Sequence, residues 1–173
     1  MHSQPQPTVL IVCHANTSRS VMAHALLGKM LAQREAHHYV RIRSGGIANY
    51  ARDGMLPSLD ARLVLQEEDI YLAEVEFTSI DLKRHRYLIA EADLILTMTT
   101  EQKDMLRVFP EAEAKPVFTL REFAGEQGDI DDPACQGEEG FRALRDEIKR
   151  CLEKSIDHLM ATLVNHGRFS QPL

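Results

Sequence analysis

Residues 8–28, TVLIVCHANTSRSVMAHALLG, decide how the rest of the chain is read. The apolar run Val9, Leu10, Ile11 and Val12 reads as a buried strand. From Ser20 onward, Met22, Ala25, Leu26 and Met30 recur at helical spacing. Between strand and helix lies the loop Cys13-His14-Ala15-Asn16-Thr17-Ser18-Arg19-Ser20, with a cysteine at its start and an arginine six positions later. A loop that leaves a strand and enters a helix gathers unpaired backbone N–H groups at the helix N-terminus, which makes an anion site. Cys13 is expected at the bottom of this cradle, where the N–H groups, the helix dipole and Arg19 favour its thiolate. Arg19 is placed to fork onto two oxygens of a phosphate, and Ser20 to offer its hydroxyl to the sulfur. A phosphoryl group held there would meet a nucleophile below it and donors around its oxygens.

Outward from this stretch, apolar runs alternate with helical periodicity. Residues 39–44 alternate like a half-buried strand that stops at Gly45-Gly46. Pro57 opens a helix to about residue 66 with Leu59, Leu63 and Val64 on one face, and residues 67–79 read mostly as loop. A helix is expected over 82–92, a core strand over 93–98, and a helix over 99–109 with Met105, Leu106 and Phe109 inward, stopped by Pro110. Residues 116–120 read as the fourth strand, followed by a glycine-containing loop over 125–140. The longest helix is expected over about 138–164, where Phe141, Leu144, Ile148, Leu152, Ile156, Leu159 and Leu163 recur every three or four residues. Strands alternating with helices predict an α/β three-layer sandwich around a four-stranded parallel sheet, with the ligand at the carboxyl ends of the strands, where Cys13 falls.

Composition narrows the class. A chain of 173 residues, 44% hydrophobic and 27% charged, suits one domain with a substantial core. The net charge of −6 argues against a nucleic-acid binder. Three cysteines, at 13, 135 and 151, form no CxxC pair and point to a reducing cytoplasm. Residues 1–7 lack the basic and apolar regions of a signal peptide, and no run reaches transmembrane length. The expected organisation is a disordered or extended segment at 1–7, the domain at 8–165 and a tail at 166–173. No metal site is expected, because no HExxH occurs and the adjacent His37 and His38 diverge on any regular element.

Cys-x5-Arg-Ser directly after the first strand resembles the low-molecular-weight protein tyrosine phosphatase family, which also holds the bacterial protein arginine phosphatases. That family carries an Asp-Pro pair just before its last helix, and Asp132-Pro133 matches it. The resemblance extends to Ser44-Gly45-Gly46-Ile47, to residues 92–98 and to residues 117–122. Taken singly, a cysteine after a strand is more often a small buried hydrophobe, and Asp-Pro is a common turn signal. Their order and placement on the right elements carry the assignment. The resemblance implies Cys13 as nucleophile, Arg19 as phosphate clamp and Asp132 as general acid and then base. It further implies that the loop residues His14, Ala15, Asn16, Thr17, Ser18 and Ser20 surround the phosphate, with Tyr50 as an aromatic wall. No cofactor is needed. The partner is a phosphorylated protein, not nucleic acid or membrane, and the chain is expected to be a monomer or weak dimer.

The family loop reads Cys-x-Gly-Asn-x-Cys-Arg-Ser-Pro, and here Ala15, Ser18 and Val21 replace the glycine, second cysteine and proline. Ala15 requires a backbone that avoids positive φ, whereas Asn16 tolerates it and braces the loop. These departures keep a second reading open: a catalytically weak phosphate- or phosphoprotein-binding module of the same fold. For the enzyme, two features favour phosphoarginine: Thr17, whose hydroxyl suits a guanidino group, and the non-aromatic Ala134 and Cys135 after Asp-Pro. Tyr50 favours phosphotyrosine, unless it caps the core. The imidazoles of His14 and His24 read as surface or packing groups.

Overall fold

Strand β1 (Thr8–Cys13) is buried along its whole length and is the spine of the molecule. The computed structural model, which describes residues 5–73 and 75–168, sets it between β2 (Arg41–Gly46) and β3 (Leu94–Thr97). With β4 (Val117–Thr119) at the far edge, the sheet order is β2-β1-β3-β4, and every pairing is parallel. Side chains alternate across such a sheet, and β1 divides them accordingly. Val9, Ile11 and Cys13 face one core; Leu10 and Val12 face the other. Buried on both faces, the strand reads as a continuous apolar run.

The first core is covered by α1 (Arg19–Gln33), α2 (Leu59–Gln66), α5 (Leu120–Phe123) and α6 (Gly137–Arg168). The second is covered by α3 (Tyr87–Glu91) and α4 (Thr100–Leu106). This is the expected three-layer sandwich. All seven apolar positions expected to line the last helix are buried. Its polar face is held by carboxylates from neighbouring loops: Arg142 and Arg145 reach Glu67, Lys149 reaches Glu68, and Arg150 and Lys154 reach Glu126. Hydrogen bonds from Arg142 and Arg145 pull the Glu67 carboxyl down to about 2. Among the described residues no helix is long and apolar enough to cross a membrane. Of the terminal segments expected at 1–7 and 166–173, residues 1–4 and 169–173 lie outside the described residues.

Several expected boundaries are corrected. The helix expected over 82–92 is only α3, because Asp81 organises turns instead. Its carboxylate accepts from the Lys83 N–H at 3.1 Å and Lys83 Nζ at 2.7 Å, while its carbonyl accepts from the N–H groups of Arg84 and His85. In α2 the buried stripe is Ala61, Val64 and Leu65; Leu59 and Leu63 are exposed. Ser58 caps this helix at the Ala61 N–H, and that start sets its phase. Leu120 begins α5 rather than ending the fourth strand, because Thr119 and Glu122 form a reciprocal capping box. The helix expected over 99–109 ends at Leu106, and the last helix continues to Arg168.

Strand β2 does not stop at its glycines but includes both. A Cβ on Gly45 would lie 2.5 Å from Leu82 side-chain carbons. One on Gly46 would lie 2.8 Å from the His14 carbonyl oxygen and 2.9 Å from the Ala15 carbonyl carbon. Beyond the strand the ladder continues, the Ile47 N–H donating to the Cys13 carbonyl at 3.1 Å and the Ala48 N–H to the His14 carbonyl at 3.0 Å. Gly46 therefore lets the second strand lie directly against the loop that follows the first, while Gly45 makes room for Leu82.

Gly46→Ala meets backbone that cannot yield, so it is expected to lower stability by roughly 1–3 kcal/mol. Gly28 lies inside α1 with only Ile42 Cδ1, 3.9 Å away, in reach of an added Cβ. Gly28→Ala is expected to raise stability by roughly 0.5–1 kcal/mol. Urea midpoints of the two variants against the parent check both signs.

Candidate active site

Strand β1 ends at Cys13 and α1 begins at Arg19, so residues 14–18 make the whole connection. The sheet order reverses between β1 and its neighbours, and this loop leaves at the carboxyl edge of that switch point. No side chain caps the N-terminus of α1, which leaves its first amides for an outside acceptor.

Asn16 sets the loop's shape. Its φ of 59° is left-handed, which asparagine tolerates better than most residues. Its Oδ1 accepts the Ile80 N–H at 2.9 Å, which orients the amide so that Nδ2 donates to Ser20 Oγ at 2.8 Å. With that oxygen already accepting, the Ser20 proton is free for Cys13 Sγ, 3.0 Å away. The Asn16 N–H also points at the sulfur, at 3.2 Å. Cys13 thus sits on the cradle floor with two donors, the arrangement a sulfur carrying negative charge during attack or departure needs. Ala15 is not among the residues of positive φ, as its side chain requires.

Ser18 Oγ donates to Ser58 Oγ at 2.9 Å, and the Ser58 N–H donates to the Thr17 carbonyl at 2.9 Å. The residue that caps α2 therefore also clips the loop. Thr17 is half-buried beside it.

Arg19 is buried to 3% exposure. One terminal nitrogen donates to the Ile130 carbonyl and the other to His14 Nδ1, both at 3.0 Å. Asp132 approaches to 3.9 Å, its side chain 54% exposed. The segment around it is pinned elsewhere. Asp129 accepts from the Thr100 N–H and hydroxyl, the Ile130 side chain is fully buried, and its N–H donates to the Met98 carbonyl. Pro133 is buried too. Of the three aspartates in this run, Asp129 is a structural acceptor, Asp131 faces solvent, and Asp132 is the one beside Arg19.

His14, Tyr50, Ser58, Gln102 and Ile130 complete the surroundings. The Tyr50 ring is 65% exposed and lies nearly parallel to that of His14, with centroids 6.4 Å apart. It does not cap the core. Ser58, Gln102 and the Ile130 carbonyl escape sequence reasoning, although Thr99-x-x-Gln102 has the form of a capping box and forms one. His37 and His38 do not diverge: they share a turn, with ring centroids 3.8 Å apart. Among the described residues no group of three or more His, Cys, Asp or Glu side chains is placed to hold a metal. Cys13, Cys135 and Cys151 are free thiols, Cys135 exposed and the others buried. His24, beneath the site, contacts Ser44 Oγ at 3.1 Å and packs edge-on against Phe77; burial, then Arg43, lowers its pKa to about 4.

The family model described as low molecular weight phosphotyrosine protein phosphatase matches residues 8–166. A protein-arginine-phosphatase of Geobacillus stearothermophilus is 38% identical over 154 residues, covering 87% of this chain and 95% of the relative. The low molecular weight protein-tyrosine-phosphatase PtpB of Staphylococcus aureus is 31% identical over 131 residues, 72% of this chain and 79% of its own. Among solved structures, a mutant of the arginine phosphatase YwlE with a phosphorylated active-site serine superposes with a TM-score of 0.75 at 31% identity. It covers 88% of this chain and 95% of that one.

The depressed His24 value fixes a sign. The native state prefers the neutral ring, so the unfolded chain takes up this proton first as pH falls. The contribution is complete above about pH 6.5 and is lost as pH falls toward about 4. Lowering pH from 6.5 to 5 should cost about 1–2 kcal/mol in the parent, and less in His24→Gln. Urea unfolding in that window checks it, since the Glu67 and Glu126 carboxyls, held at about 2, give up their contribution only at lower pH.

Proposed function

The chain belongs to the low molecular weight phosphotyrosine protein phosphatase family, and from that premise we propose that it hydrolyses phosphorylated protein side chains through a cysteinyl-phosphate intermediate. The observation that carries this reading is a single strand-to-helix loop that holds Cys13 Sγ between two donors at one end and the buried Arg19 guanidinium at the other, with the exposed Asp132 carboxyl 3.9 Å from that guanidinium. The functional unit we assign is residues 8–165. Its free thiols suit a reducing compartment, for which the cytoplasm is the natural assignment.

In the first step Cys13 attacks phosphorus. The S–P bond forms as the P–O or P–N bond to the leaving side chain breaks, and Asp132 gives its proton to the departing oxygen or nitrogen. The loop amides and Arg19 hold the phosphoryl oxygens throughout. In the second step Asp132 takes a proton from water, whose oxygen bonds phosphorus as the S–P bond breaks. Ser20 and the Asn16 N–H receive the returning charge on sulfur. The phosphorylated serine of the YwlE mutant supports a covalent route, since a nucleophile at the active site of that relative carries the phosphoryl group.

The preferred substrate we assign is phosphoarginine. Thr17, half-buried in the loop, supplies a hydroxyl that suits a guanidino group, and Ala134 and Cys135 after Asp132-Pro133 offer no aromatic wall. The more similar of the two relatives is an arginine phosphatase. One observation favours phosphotyrosine: Tyr50 is exposed beside His14, where it could flank a phenyl ring.

Steady-state hydrolysis of a phosphoarginine protein beside a phosphotyrosine peptide, with Cys13→Ser as the blank, tests the reading. The expected result is turnover of both with phosphoarginine preferred; no turnover with inorganic phosphate still bound leaves a binding module. Cys13→Ser should abolish the reaction. Asp132→Asn should lower kcat by roughly 10²–10⁴-fold. Asp129→Asn should chiefly lower stability, because that carboxylate serves Thr100.

A further inference from the structure

His14 occupies a place that its surface or packing role leaves unexplained. Its side chain is 20% exposed, and its Nδ1 lies 3.0 Å from a terminal nitrogen of Arg19 and 3.0 Å from the Gln102 side-chain nitrogen. The second contact settles its direction. Gln102 Oε1 accepts the N–H groups of Met98 at 2.9 Å and Thr99 at 3.1 Å, so the atom facing His14 is the Nε2 donor. Guanidinium nitrogens also only donate. Nδ1 therefore receives two hydrogen bonds with its lone pair, and the ring proton belongs on Nε2, which faces Glu101 at 3.5 Å.

We propose that His14 is a positioning residue for phosphate capture, its neutral Nδ1, locked by Gln102, aiming the Arg19 guanidinium into the loop. The inference rests on the phosphatase reading of the same site and adds to it how the clamp is held. A buried arginine can be oriented by a carboxylate, but a salt bridge at contact would spend its charge before the substrate arrives. Here the two orienting acceptors are neutral, the Ile130 carbonyl and the His14 imidazole. Asp132 stands off at 3.9 Å. The guanidinium is thereby fixed in direction while its charge stays available to a phosphate dianion. The charged neighbours of His14 are Arg19 on α1 and Glu101 on α4, with Asp132 beyond the Arg19 guanidinium. The Tyr50 ring flanks it. The capping box of Thr99 and Gln102 thus connects the start of α4 to the clamp.

The test uses the full chain and inorganic phosphate as probe, read by titration calorimetry, beside kcat and KM on the phosphoarginine protein and the phosphotyrosine peptide. His14→Phe and His14→Ala remove the acceptor, whereas His14→Asn restores an oxygen at the position of Nδ1. Both acceptor-less variants should weaken phosphate binding and lower kcat/KM by roughly 10- to 100-fold. His14→Asn should recover to within about fivefold of the parent, and a thermal midpoint above the assay temperature shows that each variant is folded when it is read. Parent-like phosphate affinity in His14→Phe and His14→Ala overturns the inference, as does His14→Asn as impaired as they are. If the parent binds phosphate without turning over, the phosphatase reading falls, and the inference stands or falls on the phosphate affinities of the same variants. If the parent binds no phosphate, both fall.

Discussion

A buried guanidinium whose hydrogen bonds go to neutral acceptors, with its carboxylate neighbour held off at 3.9 Å, is the constraint on which the rest of this structure depends. Arg19 is withdrawn almost wholly from water, and removing a charge from water costs several kcal/mol unless its donors are met. The fold meets them from two directions: the Ile130 backbone carbonyl from the 129–133 segment and an imidazole from the loop itself. Each then needs support. The Ile130 carbonyl is fixed by burial of its own side chain and by the bond to Met98 at the end of β3. The imidazole is fixed by α4.

The same logic extends to the sulfur. Cys13 belongs to the core that α1 and α6 cover, as Val9 and Ile11 do, yet its Sγ meets polar atoms. The hydroxyl that serves it is oriented by Asn16, and Asn16 is oriented by the Ile80 N–H. On the opposite side the loop backbone presses against Gly46, where nothing larger fits. Cys13 and Arg19 are therefore held by contacts from β2, α2, α4 and the 129–133 segment together, and the site inherits its geometry from the whole sheet edge.

What the sequence makes legible follows from distance along the chain. The strand, the loop and the helix after it are fixed by periodicity and by a few adjacent residues, so Cys13, Asn16, Arg19 and Ser20 can be assigned their parts directly. The ordering of Asp132 after them is legible through family resemblance. The supports are not, because they join residues far apart: Ser18 to Ser58 across 40 positions, Asn16 to Ile80 across 64, His14 to Gln102 across 88, and Arg19 to Ile130 across 111. No local propensity encodes such pairs. Misplaced boundaries have a different cause. At Thr119-x-x-Glu122 the capping signal is local and present, but apolar periodicity alone passes over it. At 82–92, Asp81 draws the backbone into turns that periodicity cannot anticipate.

A loop stitched to so many elements has a thermodynamic consequence for the chain as a whole. An anion that fits the loop finds it assembled only when those elements are in place, so it binds the native state and not the unfolded one. By mass action, such a ligand at 100 times its dissociation constant adds about 2.7 kcal/mol to global stability. Because inorganic phosphate is also the product of the proposed reaction, the ion that would occupy the site between turnovers would be the one that holds the molecule folded. Resting stability and catalytic inhibition would then rise together as free phosphate accumulates, two readings of a single binding equilibrium.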